Sequence, residues 1–271
     1  GLRICPDIDT VTYTLSGLAN PSTGWGRKDE SWSFMETLDS LGGETWFRLG
    51  DRDLALHVER TRRLGAGESL SAITAEIAKR LGIAARIAPM SDDPVRTIVA
   101  TPDGPLAFQH YFVRDQCRPE VTGFHFDGAD TARPSEALTK ALTGTSLEMV
   151  VICPSNPFIS IDPILAVPTV RAMLADFPAP VIAVSPIVGG QAIKGPTAKM
   201  LAELGRPTSA FAIAEHYRDL IDGFVIDTAD AVSADAIRDL GCQVRVTNTV
   251  MKSLQDRVSL ARDVVAFAQE L

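Results

Sequence analysis

Pro180-Val181-Ile182-Ala183-Val184-Ser185-Pro186 is the stretch that decides the fold, because a short apolar run ends there abruptly at a polar turn. Two other runs have the same form, Met149-Val150-Val151-Ile152 before Cys153-Pro154 and Gly223-Phe224-Val225-Ile226 before Asp227. Continuous apolar runs of this kind are typical of parallel strands that are buried on both faces. The three runs therefore predict the centre of a parallel sheet.

Helical patterns lie between and after these runs, with apolar residues at three- and four-residue spacing. The predicted helices are 164–176, 196–204, 209–220 and 255–270. Alternation of strands and helices predicts βαβ units with right-handed crossovers. The fold class expected is α/β, a Rossmann-like doubly wound, mostly parallel sheet.

The earlier third of the chain has a different pattern. It predicts helices at 31–41, 51–64 and 69–81, with capping residues at Ser31 and Ser69, and then short strands at 84–87, 96–100, 106–112 and 121–126. We therefore expect a Rossmann-like core formed by 1–27 and 131–271. Residues 28–130 are expected to form a helical and small-sheet insertion over the active site.

Composition excludes several classes of partner. The 271 residues are 45% hydrophobic and carry a formal net charge of -8, which disfavours a nucleic-acid surface. No run approaches the ~20 apolar residues that cross a bilayer, so we expect no membrane partner and a cytoplasmic location. The four cysteines stand singly, and this favours reduced thiols over disulfides or a zinc site.

Asp7-Ile8-Asp9 is the first candidate site. In an extended segment, carboxylates two residues apart share a face, as a divalent cation or a polyol requires. The alternative is the N-terminal cap of a helix that follows Pro6.

Two further candidates combine aromatic and charged residues. Trp25 stands between Gly24 and Gly26, so its indole face could stack on a flat heterocycle, although a surface turn with a half-buried Trp explains the segment too. In the segment 48–53, Arg48 and Arg52 could hold a carboxylate or a phosphate, and Asp51 and Asp53 suit the positive end of the helix that follows; a solvated salt-bridge cluster is the alternative. The acidic turn at 90–94 is explained by an ordinary Asx turn.

The ends of the predicted strands carry a fourth candidate. Ser155 and Asn156 follow one strand, and Ser185 and Gly189 follow the next. Ligands of open α/β sheets bind at the carboxyl ends of strands, so these residues are suited to a nucleotide. Polar turns are the alternative, and the chain has neither a G-x-G-x-x-G fingerprint nor a Walker loop.

Six segments taken in order resemble the 2-phospho-L-lactate transferase family, whose members act in biosynthesis of the deazaflavin coenzyme F-420. These segments are Cys5-Pro6-Asp7-Ile8-Asp9-Thr10, Gly24-Trp25-Gly26, Gly50-Asp51-Arg52-Asp53, Met90-Ser91-Asp92-Asp93-Pro94-Val95, Ser155-Asn156-Pro157 and Ser185-Pro186-Ile187-Val188-Gly189-Gly190. The resemblance implies transfer of a phospholactyl or phosphoenolpyruvyl group from a GDP-linked donor to the deazaflavin Fo, with release of GMP. It also implies a Mg²⁺ cofactor and a homodimer.

The resemblance also assigns roles to residues. Asp9 and Arg48 match positions that contact Fo, with Trp25 as a stacking partner and Asp9 as the catalytic residue. Asp7 and Asp9 would hold the metal. The nucleotide would lie along four residues: Ser155, Asn156, Ser185 and Gly189.

Two alternatives remain open at this point. One is a regulatory protein of the related fold that senses nucleotide-sugars, and the other is a transferase that uses a 3-phosphoglycerate-type donor. Family members begin with a strand and a Gly-rich phosphate loop that precede the Cys-Pro-Asp segment. If the printed residues are the whole molecule, we expect weak donor binding and little activity.

Overall fold

The computed structural model describes all residues from Gly1 to Leu271, and they form two compact units. The first unit comprises Gly1–Asp93 with Arg133–Leu138, and the second comprises Pro94–Ala132 with Thr139–Leu271. These units do not coincide with the predicted core and insertion, because the first 27 residues belong to the same unit as the helices that follow them.

The first unit is helical. Its helices are α1 (Pro6–Leu15), α2 (Ser33–Ser40), α3 (Asp51–Gly65) and α4 (Leu70–Arg80). The start of α4 confirms the predicted cap, since the Ser69 side chain accepts a hydrogen bond from the Ala72 N–H at 3.2 Å. Ser31 does not cap α2, because the residue before that helix is Trp32 and its side chain makes no capping bond.

The second unit contains two larger sheets and a hairpin. A three-stranded antiparallel sheet has the order β2–β1–β3, with β1 at Arg96–Ala100, β2 at Leu106–Ala107 and β3 at Gly123–Asp127. A parallel sheet consists of β4 (Val150–Ile152), β5 (Val181–Val184), β8 (Gly223–Asp227) and β9 (Gln243–Thr247), which neighbour one another in that order. The hairpin pairs β6 (Ile187–Val188) with β7 (Gln191–Ala192).

Helices flank the parallel sheet, and this confirms the α/β class. They are α6 (Asp162–Leu165), α7 (Val170–Ala175), α8 (Thr197–Glu203), α9 (Ala210–Tyr217), α10 (Ala234–Arg238) and α11 (Leu254–Ala268), while α5 (Glu136–Thr143) begins in the first unit. None of the helices is both long and apolar enough to cross a membrane.

The core of the parallel sheet is closed on both faces. Ile182, Val184 and Val225 pack in one cluster with Leu260 and Phe267 of α11. The residues between them point to the other face by the alternation of a strand, and there Ala183, Phe224 and Ile226 are fully buried. The long apolar runs of the sequence follow from this double burial.

Several predicted elements are wrong in position or type. Residues 84–87 form no strand, because no neighbouring strand pairs with them. The predicted strand at 106–112 ends at Ala107, and a π-helical turn occupies His110–Arg114. The predicted helix at 164–176 is interrupted where Pro168 precedes Thr169, whose φ of 72° lies in the left-handed region. Strand β9 is missing from the prediction altogether.

Candidate functional site

Asp7 and Asp9 lie in the first turn of α1, not in an extended segment. Pro6 begins the helix, as its fixed φ allows, and the two acidic residues suit the positive end of the helix dipole. Residues two apart in a helix are separated by about 200° around its axis, so the predicted shared face is wrong. Asp9 is only 5% exposed, whereas Asp7 is exposed. The alternative of a helix N-terminus is correct in outline, although Cys5 takes the capping position and makes no side-chain bond there.

Asp9 is bound by a buried arginine of α3. Both terminal nitrogens of Arg60 donate to its carboxylate: Nη2 to Oδ1, and Nη1 to Oδ2 at 3.1 Å. The Cys5 N–H donates to the same Oδ2 at 3.3 Å. Arg60 is 2% exposed, and Asp9 raises its pKa against the effect of burial. This is a desolvated, bidentate ion pair.

The pair continues into a longer polar network. His57 Nδ1 lies 3.3 Å from Arg60 Nη1 and 3.7 Å from Asp9 Oδ2, while His57 Nε2 lies 3.2 Å from Asp53 Oδ1. The Tyr13 hydroxyl donates to that same Asp53 oxygen at 2.6 Å. We call Asp9, Tyr13, Asp53, His57 and Arg60 the α1–α3 network.

The two helices present these residues on facing stripes. Asp9 and Tyr13 are four apart on α1, and Asp53, His57 and Arg60 follow four and three apart on α3. Burial opposes the charged form of Asp53, but the bonds from His57 and Tyr13 outweigh it and hold its pKa below the ordinary value. Burial and the Asp53 contact raise the pKa of the Tyr13 phenol. A charged Asp53 opposite a neutral Tyr13 is therefore the stable state.

The residues expected to hold Mg²⁺ do not fit it as a pair. The protein contains no group of three or more His, Cys, Asp or Glu side chains arranged to hold a metal ion. Both Asp9 oxygens already accept from Arg60, and Asp7 points elsewhere on the helix. A two-carboxylate Mg²⁺ site at Asp7 and Asp9 would require this ion pair to open.

Trp25 stands at the tip of a closed loop. The Asn20 N–H donates to the Gly26 carbonyl at 3.1 Å, and Ala19 pairs with Arg27 in an isolated bridge, so the base of the loop is closed. The indole is 64% exposed, as expected for a binding face. Both flanking glycines have positive φ, a conformation that most side chains disfavour.

Arg48 is exposed and stacks on an aromatic ring that the sequence did not single out. Its guanidinium carbon lies 4.4 Å from the centre of the Trp32 ring. A planar cation on a planar ring forms a flat surface of mixed charge and apolar character. Asp9, Arg48 and Trp25 all lie in the first unit, but each bonds to a different set of neighbours.

Two carboxylates near Arg48, those of Asp51 and Glu30, cap helices. Asp51 accepts from the Ser33 and Phe34 N–H groups at the start of α2, at 3.1 and 3.0 Å. Glu30 accepts from the Arg52 and Asp53 N–H groups at the start of α3, at 2.8 and 2.9 Å. The acidic residues here do not form the salt-bridge cluster that was the alternative: Asp51 caps α2, and Asp53 belongs to the α1–α3 network.

The acidic turn at 90–94 is structural as well. The Asp93 N–H donates to Ser91 Oγ at 3.0 Å, so a serine hydroxyl closes this turn in place of the aspartate of the expected Asx turn. Asp92 accepts from the Ser71 N–H at 2.7 Å and so helps to cap α4.

The end of β4 provides one free hydroxyl. Asn156 caps the π-helical turn that follows, since its side-chain oxygen accepts from the Phe158 N–H at 2.9 Å. Its amide nitrogen lies 3.2 Å from the sulfur of the buried Met200. Ser155 is half-buried, and its side chain makes no hydrogen bond within the protein. Of this pair, Ser155 is the residue free to bind a ligand.

The end of β5 is already satisfied internally. Ser185 is 2% exposed, accepts from the Ile187 N–H at 3.1 Å and donates to the Ile187 carbonyl at 2.8 Å. The Gly189 N–H donates to Asp230 at 3.0 Å. Gly189 and Gly190 both have positive φ, as the tight turn between β6 and β7 requires. Ser185 and Gly189 therefore shape the loop, and the Ser185 hydroxyl and the Gly189 N–H already have partners within the protein.

Two groups of residues with buried charges escaped the sequence prediction. Arg60 and His57 were missed because they stand in an ordinary amphipathic pattern; the polar stripe with Asp53 is the signal that could have found them.

Asp227 at the end of β8 is 5% exposed and accepts from the Thr249 N–H and hydroxyl at 2.8 and 3.1 Å. Burial opposes its charge, but these bonds and that from Ala229 keep its pKa below the ordinary value.

Known proteins resemble this chain over its whole length. A family model described as 2-phospho-L-lactate transferase CofD matches residues 1–255. A phosphoenolpyruvate transferase of Streptomyces griseus is 40% identical over 277 residues, which cover 100% of this chain and 86% of the relative. A 2-phospho-L-lactate transferase of Methanocaldococcus jannaschii is 38% identical over 274 residues, with the same coverage of each chain.

A solved structure supports the fold alone. A Bacillus halodurans protein of the UPF0052 family superposes with a TM-score of 0.57 at 14% identity, over 93% of this chain and 81% of that chain. At this identity the likeness carries no information on the reaction.

Proposed function

Because the chain belongs to the 2-phospho-L-lactate transferase family CofD, we propose that it transfers a phospholactyl or phosphoenolpyruvyl group from a GDP-linked donor to the deazaflavin Fo. The ribityl hydroxyl of Fo attacks the phosphorus that bears the three-carbon acid. A new O–P bond forms, the bond to the GMP moiety breaks, GMP leaves with the bridging oxygen, and the hydroxyl gives up its proton. The product belongs to the biosynthesis of coenzyme F-420.

The observation that carries this proposal is the match over the full chain to transferases named for both acids. A sensor of nucleotide-sugars would share the fold but not this similarity to transferases. The relatives are named for phosphoenolpyruvate and for 2-phospho-L-lactate, so both are candidate donors, and nothing favours a 3-phosphoglycerate-type donor.

The acceptor half of the proposal rests on the first unit. The exposed Trp25 ring and the Arg48–Trp32 stack are flat surfaces suited to a deazaflavin ring. Asp9 is the proposed catalytic residue, because its Oδ1 accepts only one of the three hydrogen bonds made to its carboxylate and can take another from a hydroxyl. In this role Asp9 orients the attacking oxygen, an alignment effect that requires no covalent intermediate.

The donor half rests on the second unit. Ser155 carries the free hydroxyl proposed to bind the guanine nucleotide. Asn156, Ser185 and Gly189 are proposed to act through the loop shapes that they stabilise, because their polar groups are bonded within the protein.

Mg²⁺ would supply charge neutralisation at the donor phosphates when bound. Mg²⁺ in such sites is commonly held by one or two carboxylates together with substrate phosphates. Of the two expected ligands only Asp7 is exposed, and Asp9 is already paired. A cytoplasmic location and a homodimer are further proposals from the family.

Incubation of the purified protein with Fo, Mg²⁺ and each candidate donor, followed by mass spectrometry of the products, tests the function. We expect an Fo adduct whose mass matches one of the two acids, together with stoichiometric GMP. Absence of any Fo-dependent product with every donor would reject the transferase reaction. Release of GMP without an Fo adduct would reject Fo as the acceptor but not the GDP-linked donor.

A further inference from the structure

The α1–α3 network joins two helices through charged and polar side chains whose burial is unfavourable. Arg60 and His57 are 2% and 1% exposed, and Arg60 Nε has no hydrogen-bond partner at all. Apolar side chains of similar volume commonly stabilise such an interface as well as a buried ion pair does, or better. Stability therefore does not explain why this contact consists of two carboxylates, an imidazole, a phenol and a guanidinium. Costly polar groups of this kind concentrate where function requires a fixed geometry.

We infer that His57 and Arg60 are positioning residues, which hold the Asp9 carboxylate in the one orientation that receives the acceptor hydroxyl. This inference rests on the proposed function, since it assigns the orientation of the same carboxylate. Neither residue is proposed to touch the substrate.

The donors and acceptors of the network fix its direction. The Arg60 guanidinium has only hydrogen-bond donors, so His57 Nδ1 must accept from Nη1. The proton of a neutral imidazole then lies on Nε2. Nε2 then faces Asp53 Oδ1 at 3.2 Å, a close charge contact without hydrogen-bond geometry, and Tyr13 donates to that oxygen from the opposite helix. Tyr13, Asp53, His57, Arg60 and Asp9 thus form a chain of contacts in that order, with a hydrogen bond at every link except the close approach of His57 Nε2 to Asp53.

The Arg60 link is the one that reaches Asp9. With His57 in place, Nη1 has three acceptors around it: Asp9 Oδ2 at 3.1 Å, His57 Nδ1 at 3.3 Å and the Arg3 carbonyl at 3.3 Å. Loss of the imidazole acceptor would leave Nη1 held by Asp9 and the Arg3 carbonyl alone, and we expect the guanidinium to shift away from the vacated side and the carboxylate to turn with it. A displacement of about 1 Å at a reacting group costs about 100-fold in rate.

Two substitutions of His57 separate positioning from stability. In His57→Asn, the amide oxygen can replace Nδ1 as the acceptor for Arg60, while the contact with Asp53 is lost. In His57→Gln, the amide nitrogen can replace Nε2 opposite Asp53, while the acceptor for Arg60 is lost. We expect His57→Asn to keep kcat within about tenfold of the unsubstituted enzyme and His57→Gln to lose about 100-fold, with little change of KM for the donor in either.

Thermal unfolding of both variants and titration of the active fraction accompany the kinetics. Equal kcat values for the two variants, or losses that follow the drop in Tm or in active fraction, would overturn the inference and leave a structural role. Arg62→Gln serves as the matched control, because Arg62 lies on the same helix with its side chain 65% exposed, paired with Glu59. If the unsubstituted enzyme forms no Fo adduct, the proposed function fails; if it does and the two variants are alike, only the positioning role fails.

Discussion

The Asp9 carboxylate accepts hydrogen bonds from both terminal nitrogens of Arg60, a residue 51 positions further along the chain, and both side chains are buried. This contact joins the first turn of α1 to the last turns of α3. It makes the proposed catalytic carboxylate a structural element of the first unit as well.

Asp9→Asn is expected to abolish turnover and also to destabilise the fold. Asparagine leaves the buried Arg60 charge without a counter-charge, and loss of one partner of a buried pair costs about 3–5 kcal/mol. Thermal unfolding followed by circular dichroism, together with the Fo transfer assay, measures both effects.

The double variant Asp9→Asn with Arg60→Met provides the control. Removal of the orphaned charge should restore much of the lost stability, while activity stays absent. Normal turnover in either variant, once the folded fraction is counted, would remove Asp9 from the catalytic site.

Gly50→Ala is expected to destabilise the protein through a helix cap. A Cβ at this position would overlap the Glu30 carboxylate, which accepts the first N–H groups of α3. Loss of such a cap costs about 1–2 kcal/mol. Urea unfolding measures the free energy of unfolding.

Gly65→Ala is the matched substitution in the same helix. A Cβ there meets nothing within 4 Å, so alanine should be neutral or add up to about 1 kcal/mol. Equal unfolding free energies for the two variants would show that Glu30 moves aside at no cost.

Ionisation of Asp227 should make the free energy of unfolding depend on pH in the acid range. Its pKa is lower in the folded protein than in the unfolded chain, where an aspartate titrates near 4. A depressed pKa gives stability that is fully present above the unfolded value and is lost as the pH falls through the folded one. Asp227→Asn should therefore lower the unfolding free energy most above about pH 5, and the difference should shrink towards about pH 2.

Thr249→Val provides an intermediate case. It removes the hydroxyl donor to Asp227 and keeps the backbone donor, so it should reduce the same pH dependence in part. Urea titrations at several pH values give the free energy of unfolding of Asp227→Asn and of Thr249→Val as a function of pH. A difference between Asp227→Asn and the unsubstituted protein that is constant with pH would contradict the assignment.

Trp25→Ala and Arg48→Ala should weaken Fo binding without lowering stability. Stacking on an exposed aromatic ring contributes about 1–3 kcal/mol per flat base, so we expect at least about a fivefold rise of the Fo dissociation constant for each. Trp25 is 64% exposed, and exposed substitutions of this kind seldom change stability by more than about 0.5 kcal/mol.

Titration of deazaflavin fluorescence with each variant measures the effect. Leu41→Ala is the control, because Leu41 is an exposed apolar residue of the same unit at 79% exposure. Unchanged Fo affinity in Trp25→Ala or Arg48→Ala would take that residue out of the acceptor site.

The parallel sheet was predictable because strands that are buried on both faces have unbroken apolar sequences, as in Val181–Val184 and Gly223–Asp227. Strand Gln243–Thr247 has no such run, since Arg245 interrupts it and its residues are half-buried at the edge of the sheet. For the helix Pro6–Leu15 the sequence left both a helix N-terminus and an extended segment open, because two aspartates in its first turn match both a cap and an Asp-x-Asp motif.

The site was less accessible to sequence reasoning than the fold. Trp25 and Ser155 stand free, as a binding role requires, and such residues can be read from their neighbours. The partners of Asp9 could not, because Arg60 and His57 meet it only after two helices have packed. Likewise, the hydroxyl of Ser185 closes its own turn, a use that no spacing in the sequence reveals.

The α1–α3 network also determines how the first unit opens. An apolar contact between helices can slide by a residue or roll with small loss, whereas a chain of directed hydrogen bonds has one register. Helix α1 cannot shift without breaking its bonds to Asp53 and Arg60 together. The amide protons of α1 and of the middle of α3 should therefore exchange with solvent in one concerted opening, and the segment bearing Asp9 moves as a rigid body or not at all.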